Sequence, residues 1–185
     1  GDDPEEDPVG GGVIQKLRGA QQHRFIREDP FVGPGQFPPE LRSCAGVVAA
    51  ELHQRLPQAR CILHTHMHNA TVLCCLKDFE FLMLDQNACR FHQRIAYDRD
   101  YAGMALHADE GGRVAALMGA GKSVLFMGNH GVIVVAPSVA QAFDELYYLE
   151  KAAALQVLAL STGRPLAVVP DAVAALACAQ WNDYP

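Results

Sequence analysis

Apolar and polar positions along this chain keep two periods, one of about two residues and one of about 3.6, and the changes between them predict the elements. Ser43 is an N-cap residue type, after which Val47, Ala50, Glu51, Gln54 and Leu56 follow a helical spacing that Pro57 ends. Arg60 to Leu63 is a short apolar strand that runs straight into His64-Thr65-His66. Ala70 to Leu76 suits a helix, Phe79 to Leu84 and Phe91 to Tyr97 suit strands, and Asp109 to Met118 suits a helix with an acidic first turn. Two β-branched apolar strands, Ser123 to Met127 and Val132 to Val135, flank Gly128-Asn129-His130-Gly131. Pro137-Ser138 then opens the strongest helix. Its stripe is Val139, Ala142, Phe143, Leu146, Leu149, Ala153 and Val157, and Gly163-Arg164-Pro165 ends it. Strand and helix alternate, so the expected fold class is α/β.

The chain before Ser43 has neither period. Residues 1–12 carry five carboxylates, two prolines and Gly10-Gly11-Gly12, and are expected to be a flexible acidic tail. Residues 13–42 hold short apolar clusters broken by Pro30, Pro34, Pro38 and Pro39, which reads as an irregular segment of extended pieces and turns. Residues 43–185 form the expected domain, a single one given a chain of 185 residues that is half hydrophobic.

Charge and cysteine usage narrow the function. A net charge of −6, from 15 basic and 21 acidic residues, gives no general attraction to phosphate backbones, so nucleic acid is not an expected partner. No apolar run approaches the ~18 residues that a membrane-spanning helix needs. The acidic opening lacks the pattern of a secretory signal, and the six cysteines contain no CxxC pair and fall partly in apolar strings. A cytoplasmic protein with reduced thiols is the expectation.

Eight histidines are used unevenly: His64, His66 and His68 lie within five positions, and His130 sits in the glycine-flanked turn between two apolar strands. In an extended segment, residues two apart share a side, so His64 and His66 can face one ion while Thr65 points away. A third ligand has to come from a distant segment, and the glycines around His130 allow the close backbone approach that this requires. Three neutral imidazoles leave an open position on a divalent ion, which can polarise a carbonyl or stabilise an enolate. Taken by itself, an HxH pair is a weak signal, more often explained by buried rings satisfied by neighbouring carbonyls.

The segments Leu63-His64-Thr65-His66, Arg90-Phe91 to Ala96-Tyr97, Gly128-Asn129-His130-Gly131-Val132 and Glu145-Leu146-Tyr147-Tyr148-Leu149-Glu150-Lys151-Ala152 occur in an order and spacing that resemble the class II aldolase/adducin family, over roughly Cys44 to Leu160. The resemblance implies a three-layer α/β fold with a central, mainly antiparallel sheet covered by helices. It also implies a divalent metal held by His64, His66 and His130, and commonly a homotetramer with sites at its interfaces. Zinc is the leading expectation for the ion, with manganese, iron and cobalt as the others. The family uses tyrosines near its metal, so Tyr97 and Tyr148 are candidate catalytic proton donors, against a packing role with satisfied hydroxyls. His68 and Asn129, beside two of the ligands, are candidate substrate contacts.

Two departures from the sugar-phosphate aldolases shape the functional expectation. Ala45 stands where those enzymes carry a general acid/base Glu, and an alanine cannot move a proton; the stretch Cys44-Ala45-Gly46-Val47 resembles the adducin-like branch instead. Glu51 lies nearly two turns further along the same helix and reads as a solvated helix residue. Nothing before Ser43 resembles the Gly-Asn-x-Ser phosphate loop, and Lys122 lacks the spacing of any other. Arg90, Arg94 and Arg99 read either as carboxylate clamps or as solvated strand-edge residues. The leading expectation is a metal-dependent lyase acting on a small hydroxy or keto acid, by aldol cleavage or decarboxylation through a metal-stabilised enolate. A non-heme iron oxygenase and a non-catalytic adducin-like interaction module are the alternatives.

Overall fold

A computed structural model describes residues 24–25, 44–100, 103, 108–119 and 121–183. The tail over 1–12, the N-cap at Ser43 and nearly all of the segment over 13–42 lie outside the described residues. The elements are β1 (Arg24–Phe25), α1 (Cys44–Arg55), β2 (Cys61–Thr65), α2 (His68–Cys74), α3 (Gln86–Cys89), β3 (Ile95–Asp98), α4 (Ala108–Met118), β4 (Val124–Met127), β5 (Gly131–Ala136), α5 (Val139–Ser161) and α6 (Asp171–Asp183). The strands form one sheet in the order β1-β2-β5-β4-β3. The β1–β2, β2–β5 and β5–β4 ladders are antiparallel and β4–β3 is parallel, so the sheet is mainly antiparallel, as expected.

Both faces of the sheet are covered. Leu63, Val132, Val134, Val124 and Phe126 pack with α2, α5 and the chain around Phe79 and Phe81 on one face. Ile62, Ile133, Val135, Leu125 and Met127 pack with α1 and α4 on the other. Side-chain alternation in the strands produces this division. It also explains why β4 and β5 read as continuous apolar runs: every residue of both is buried. Phe126, with no exposed surface, touches Phe79, Phe81 and Tyr97 edge-on or stacked.

Three expectations need correction. Phe79 to Leu84 is extended but joins no ladder, because side chains occupy its backbone. The Leu82 N–H donates to Gln156 Oε1, Gln156 Nε2 donates to the Glu80 carbonyl, and the Phe81 N–H donates to Tyr97 Oη. The strand expected from Phe91 starts only at Ile95, since Phe91 to Gln93 is a turn with Gln93 at φ 58 and the Arg94 N–H bonded to the Phe91 carbonyl. On α5 the buried line is Ala142, Leu146, Leu149 and Ala153, while Val139 and Phe143 are exposed, Phe143 by 58%. Ala142 at the same end is fully buried, so Val139 and Phe143 lie on the flank of the stripe, rotated away from the line that meets the core. The helix α6 was not expected at all. Its sequence, Asp171 to Asp183, is dominated by alanine, which has high helix propensity but marks no apolar face.

Candidate metal centre

The β2 strand ends at Thr65, and its pairing with β5 sets His64 opposite Ile133. That places the His64 ring on the sheet face shared with α1 and α4, and Thr65 on the other. The chain then leaves the sheet through His66 and Met67 into α2. His130 belongs to the three-residue turn Gly128-Asn129-His130 between β4 and β5, in which Asn129 takes the left-handed conformation at φ 54 that such a loop requires. Gly131 follows. A Cβ at Gly131 would sit 2.5 Å from the Thr65 carbonyl oxygen and 2.7 Å from Cδ2 of His66, so only glycine lets the turn close against the HxH segment.

These elements bring three imidazoles to one point. Ring centroids lie 5.0 Å apart for His64–His66, 4.8 Å for His64–His130 and 4.9 Å for His66–His130, with the rings steeply inclined to each other. One nitrogen from each ring falls within 4.8 Å of the other two. The His64 Nδ1–H donates to the Val132 carbonyl at 3.0 Å, which fixes the tautomer and turns Nε2 inward, 3.2 Å from Nε2 of His66. Burial, reinforced by His130 and His66, lowers the His64 pKa to about 4, so the ring is neutral near pH 7. His130 is lowered too, by burial first and then by His66, with the Asp98 charge acting in the opposite sense. Neutral, inward-facing imidazoles are the donor state a divalent ion needs, and the set fits one.

The remaining candidates are spread out. His68 is exposed at the start of α2, two positions beyond His66. Asn129 is exposed, and its N–H donates to the Cys74 carbonyl at 2.9 Å. The structure brings neither tyrosine to the imidazoles. Tyr97 is paired with Phe126 in the α2/α5 layer, and its Oη accepts the Phe81 N–H at 3.0 Å; burial raises its pKa. Tyr148 packs against Trp181 with the two rings tilted by 52°, and the Arg90 guanidinium lies 4.9 Å from its ring centroid. Arg90 and Arg94 are both paired with acids within the protein. Arg94 donates to Glu145 at 2.8 Å, and Arg90 pairs with Asp144 and Glu145. Glu51 is a residue of α1 bound to Arg55 at 2.8 Å across one helical turn, but its side chain is 14% exposed and so is not the solvated one expected.

Two acids escaped the reading of the sequence. Asp98 ends β3, is buried, and is gripped by Arg113 at 2.9 and 2.5 Å. Glu150, on α5, accepts from the Asn69 N–H at 2.9 Å, from Asn69 Nδ2 at 2.8 Å and from the Ala70 N–H at 3.0 Å. A single acid within the apolar Leu146 to Ala153 stretch was the available signal for Glu150.

Residues 48–157, more than half the chain, match the family described as Class II Aldolase and Adducin N-terminal domain. The chain belongs to this family. An aldolase II superfamily protein from Pseudomonas syringae superposes with a TM-score of 0.68 at 30% identity, covering 80% of this chain and 57% of that one. Decarboxylase NovR from Streptomyces niveus is 27% identical over 144 residues, 74% of this chain and 52% of its own length. A Streptomyces roseochromogenus protein named 4-hydroxy-3-prenylphenylpyruvate oxygenase/4-hydroxy-3-prenylbenzoate synthase is likewise 27% identical over 144 residues, 74% of this chain and 51% of its own length. The chain thus spans about half the length of the curated relatives it matches. Among the described residues, no helix is long and apolar enough to cross a membrane.

Proposed function

We propose that this chain carries the metal site of a divalent-metal-dependent carbon–carbon lyase that acts on a small hydroxy or keto acid or a related carbonyl compound, by aldol cleavage or decarboxylation. The observation that carries the proposal is the convergence of His64, His66 and His130, three imidazole donors with no carboxylate among them, His64 being held neutral near pH 7. A divalent ion held there, zinc in the first instance and manganese, iron or cobalt otherwise, supplies Lewis acidity to the oxygens of the acid and a sink for the charge released when a carbon–carbon bond breaks.

The protein's own part is positional. The Val132 carbonyl orients His64, the absent side chain of Gly131 admits His66, and the turn at Asn129 presents His130. Exposed His68 and Asn129, each beside a ligand, are assigned to hold the substrate's carboxylate or hydroxyl. Ala45 falls in the first turn of α1, where a proton-moving Glu would be needed for aldol chemistry on sugar phosphates. Decarboxylation dispenses with that base, and the likeness to a protein named as a decarboxylase supports the same choice. We also propose a cytoplasmic homotetramer, as in the family at large.

A second reading, a ferrous-dependent oxygenase, rests on the equal likeness to a relative named as an oxygenase and on the suitability of imidazoles for iron. Elemental analysis of the purified protein beside His130→Ala, both without an affinity tag, tests the shared premise. About one ion per chain, lost in the variant, is expected. Carbon dioxide or aldehyde release from a panel of hydroxy and keto acids, indifferent to oxygen, supports the lyase, and oxygen uptake with ferrous ion supports the oxygenase. A wild type that stays empty when ions are added back leaves the adducin-like interaction module.

A further inference from the structure

The helix α2 has no cap of its own: Met67 stands at its N-cap position and makes no side-chain bond to the first turn. The free N–H groups of that turn are taken up by Glu150, from α5 and 80 residues away, whose two oxygens accept the Asn69 and Ala70 N–H groups and the Asn69 side-chain amide. The other end of α2 is bonded to the turn that carries His130. The Cys74 carbonyl accepts the Asn129 N–H at 2.9 Å, and Cys74 Sγ donates to the Gly131 carbonyl at 3.4 Å. One short helix therefore spans from the residue after His66-Met67 to the backbone on both sides of His130.

We infer that Glu150 is a positioning residue for the three-histidine centre, acting through α2, which it locks at one end while Cys74 ties the other end to the His130 turn. The inference rests on the metal reading of the centre. Carboxylate bonds to backbone N–H groups are short and strong, and loss of one leaves several donors of a half-buried helix end without partners. With the helix end loosened, the two halves of the donor set, His64 and His66 at the end of β2 and His130 on the β4–β5 turn, keep the β2–β5 ladder but lose the second brace between them. Supporting residues around metal ligands typically change affinity by about 10- to 100-fold when removed, and Glu150 belongs in that range.

The test is the affinity of the full chain for zinc and cobalt(II), by competition with a chelator, together with the cobalt(II) visible spectrum, which reports donor geometry without any turnover. Glu150→Ala is expected to bind about tenfold or more weakly and to show an altered spectrum. Glu150→Gln, which retains an acceptor oxygen for Asn69, is expected to recover part of both, and Asn69→Ala to lose less than Glu150→Ala. Ser138→Ala removes an ordinary helix cap, the bond from the Gln141 N–H on α5, and is expected to lower stability while leaving affinity and spectrum at wild-type values. Wild-type affinity and spectrum in Glu150→Ala, or an equal loss in Ser138→Ala, would overturn the role of Glu150. If Glu150→Ala fails to fold, wild-type affinity and spectrum in both Glu150→Gln and Asn69→Ala would overturn it as well. A wild-type chain that binds neither ion would instead overturn the metal reading on which the role depends.

Discussion

Two of the polar clusters among the described residues, one around Arg90 and one around His64, differ in charge balance. Around Arg90 every cation has an acid: Arg90 meets Asp144 and Glu145, Arg94 meets Glu145, and the remaining faces of Arg90 are covered by Tyr148 and Trp181. Around His64 three imidazoles converge, burial and the neighbouring rings hold His64 neutral, and its Nδ1 donates to a backbone carbonyl and not to an acid. The first cluster is closed and joins α3, α5 and α6. The second gathers three imidazoles whose nitrogens face one point, which is the donor set of a ligand site. Polar burial alone therefore does not mark function, whereas convergence of like donors does.

The contrast breaks most sharply at His130. Replacing it by alanine is expected to reduce zinc affinity by far more than the ~10- to 100-fold typical of a supporting residue, with the unfolding midpoint little changed. Glu145→Ala is expected to do the opposite. It leaves Arg90 and Arg94 short of a buried partner and costs about 3–5 kcal/mol in denaturant unfolding, while metal affinity per folded molecule stays the same. An effect of Glu145→Ala on affinity would show that the two clusters are coupled.

Acid separates them next. His64 has a folded pKa near 4 against an ordinary 6.5, so the unfolded chain binds more protons in between, and stability of the metal-free protein falls as pH drops from about 6.5 to about 4. The loss is at most about 3 kcal/mol and should be smaller in His64→Asn when unfolding is followed across that window. The smallest effect is expected at Tyr97. Tyr97→Phe deprives the Phe81 N–H of its acceptor and should cost about 1 kcal/mol, with metal affinity and any lyase activity unchanged. A large loss of activity in that variant, with affinity intact, would return the phenol to the chemistry.

Local rules carried much of the fold. The helix broken by Pro57, the strand ahead of His64, the β4–β5 pair and α5 were all legible, because caps, prolines and apolar periods act within a few residues of where they stand. Phe79 to Leu84 misled because its apolar character serves the core while Gln156 and Tyr97 take its backbone bonds. Phe143 misled because an apolar stripe drawn by spacing is wider than the line that packs: Ala142 is buried while its neighbour Phe143 is exposed.

The sequence by itself determined the two-residue spacing of His64 and His66, the glycine beside His130 and the buried character of β4 and β5, all consequences of geometry between near neighbours. Only the tertiary structure decided that β2 pairs with β5 and so carries His130 to within 5 Å of the HxH rings. It also decided that Tyr97 and Tyr148 serve the core and the arginine cluster, and that Glu150 reaches across 80 residues to α2. Those outcomes depend on which surfaces the layers bury against each other, a choice made by the whole chain at once.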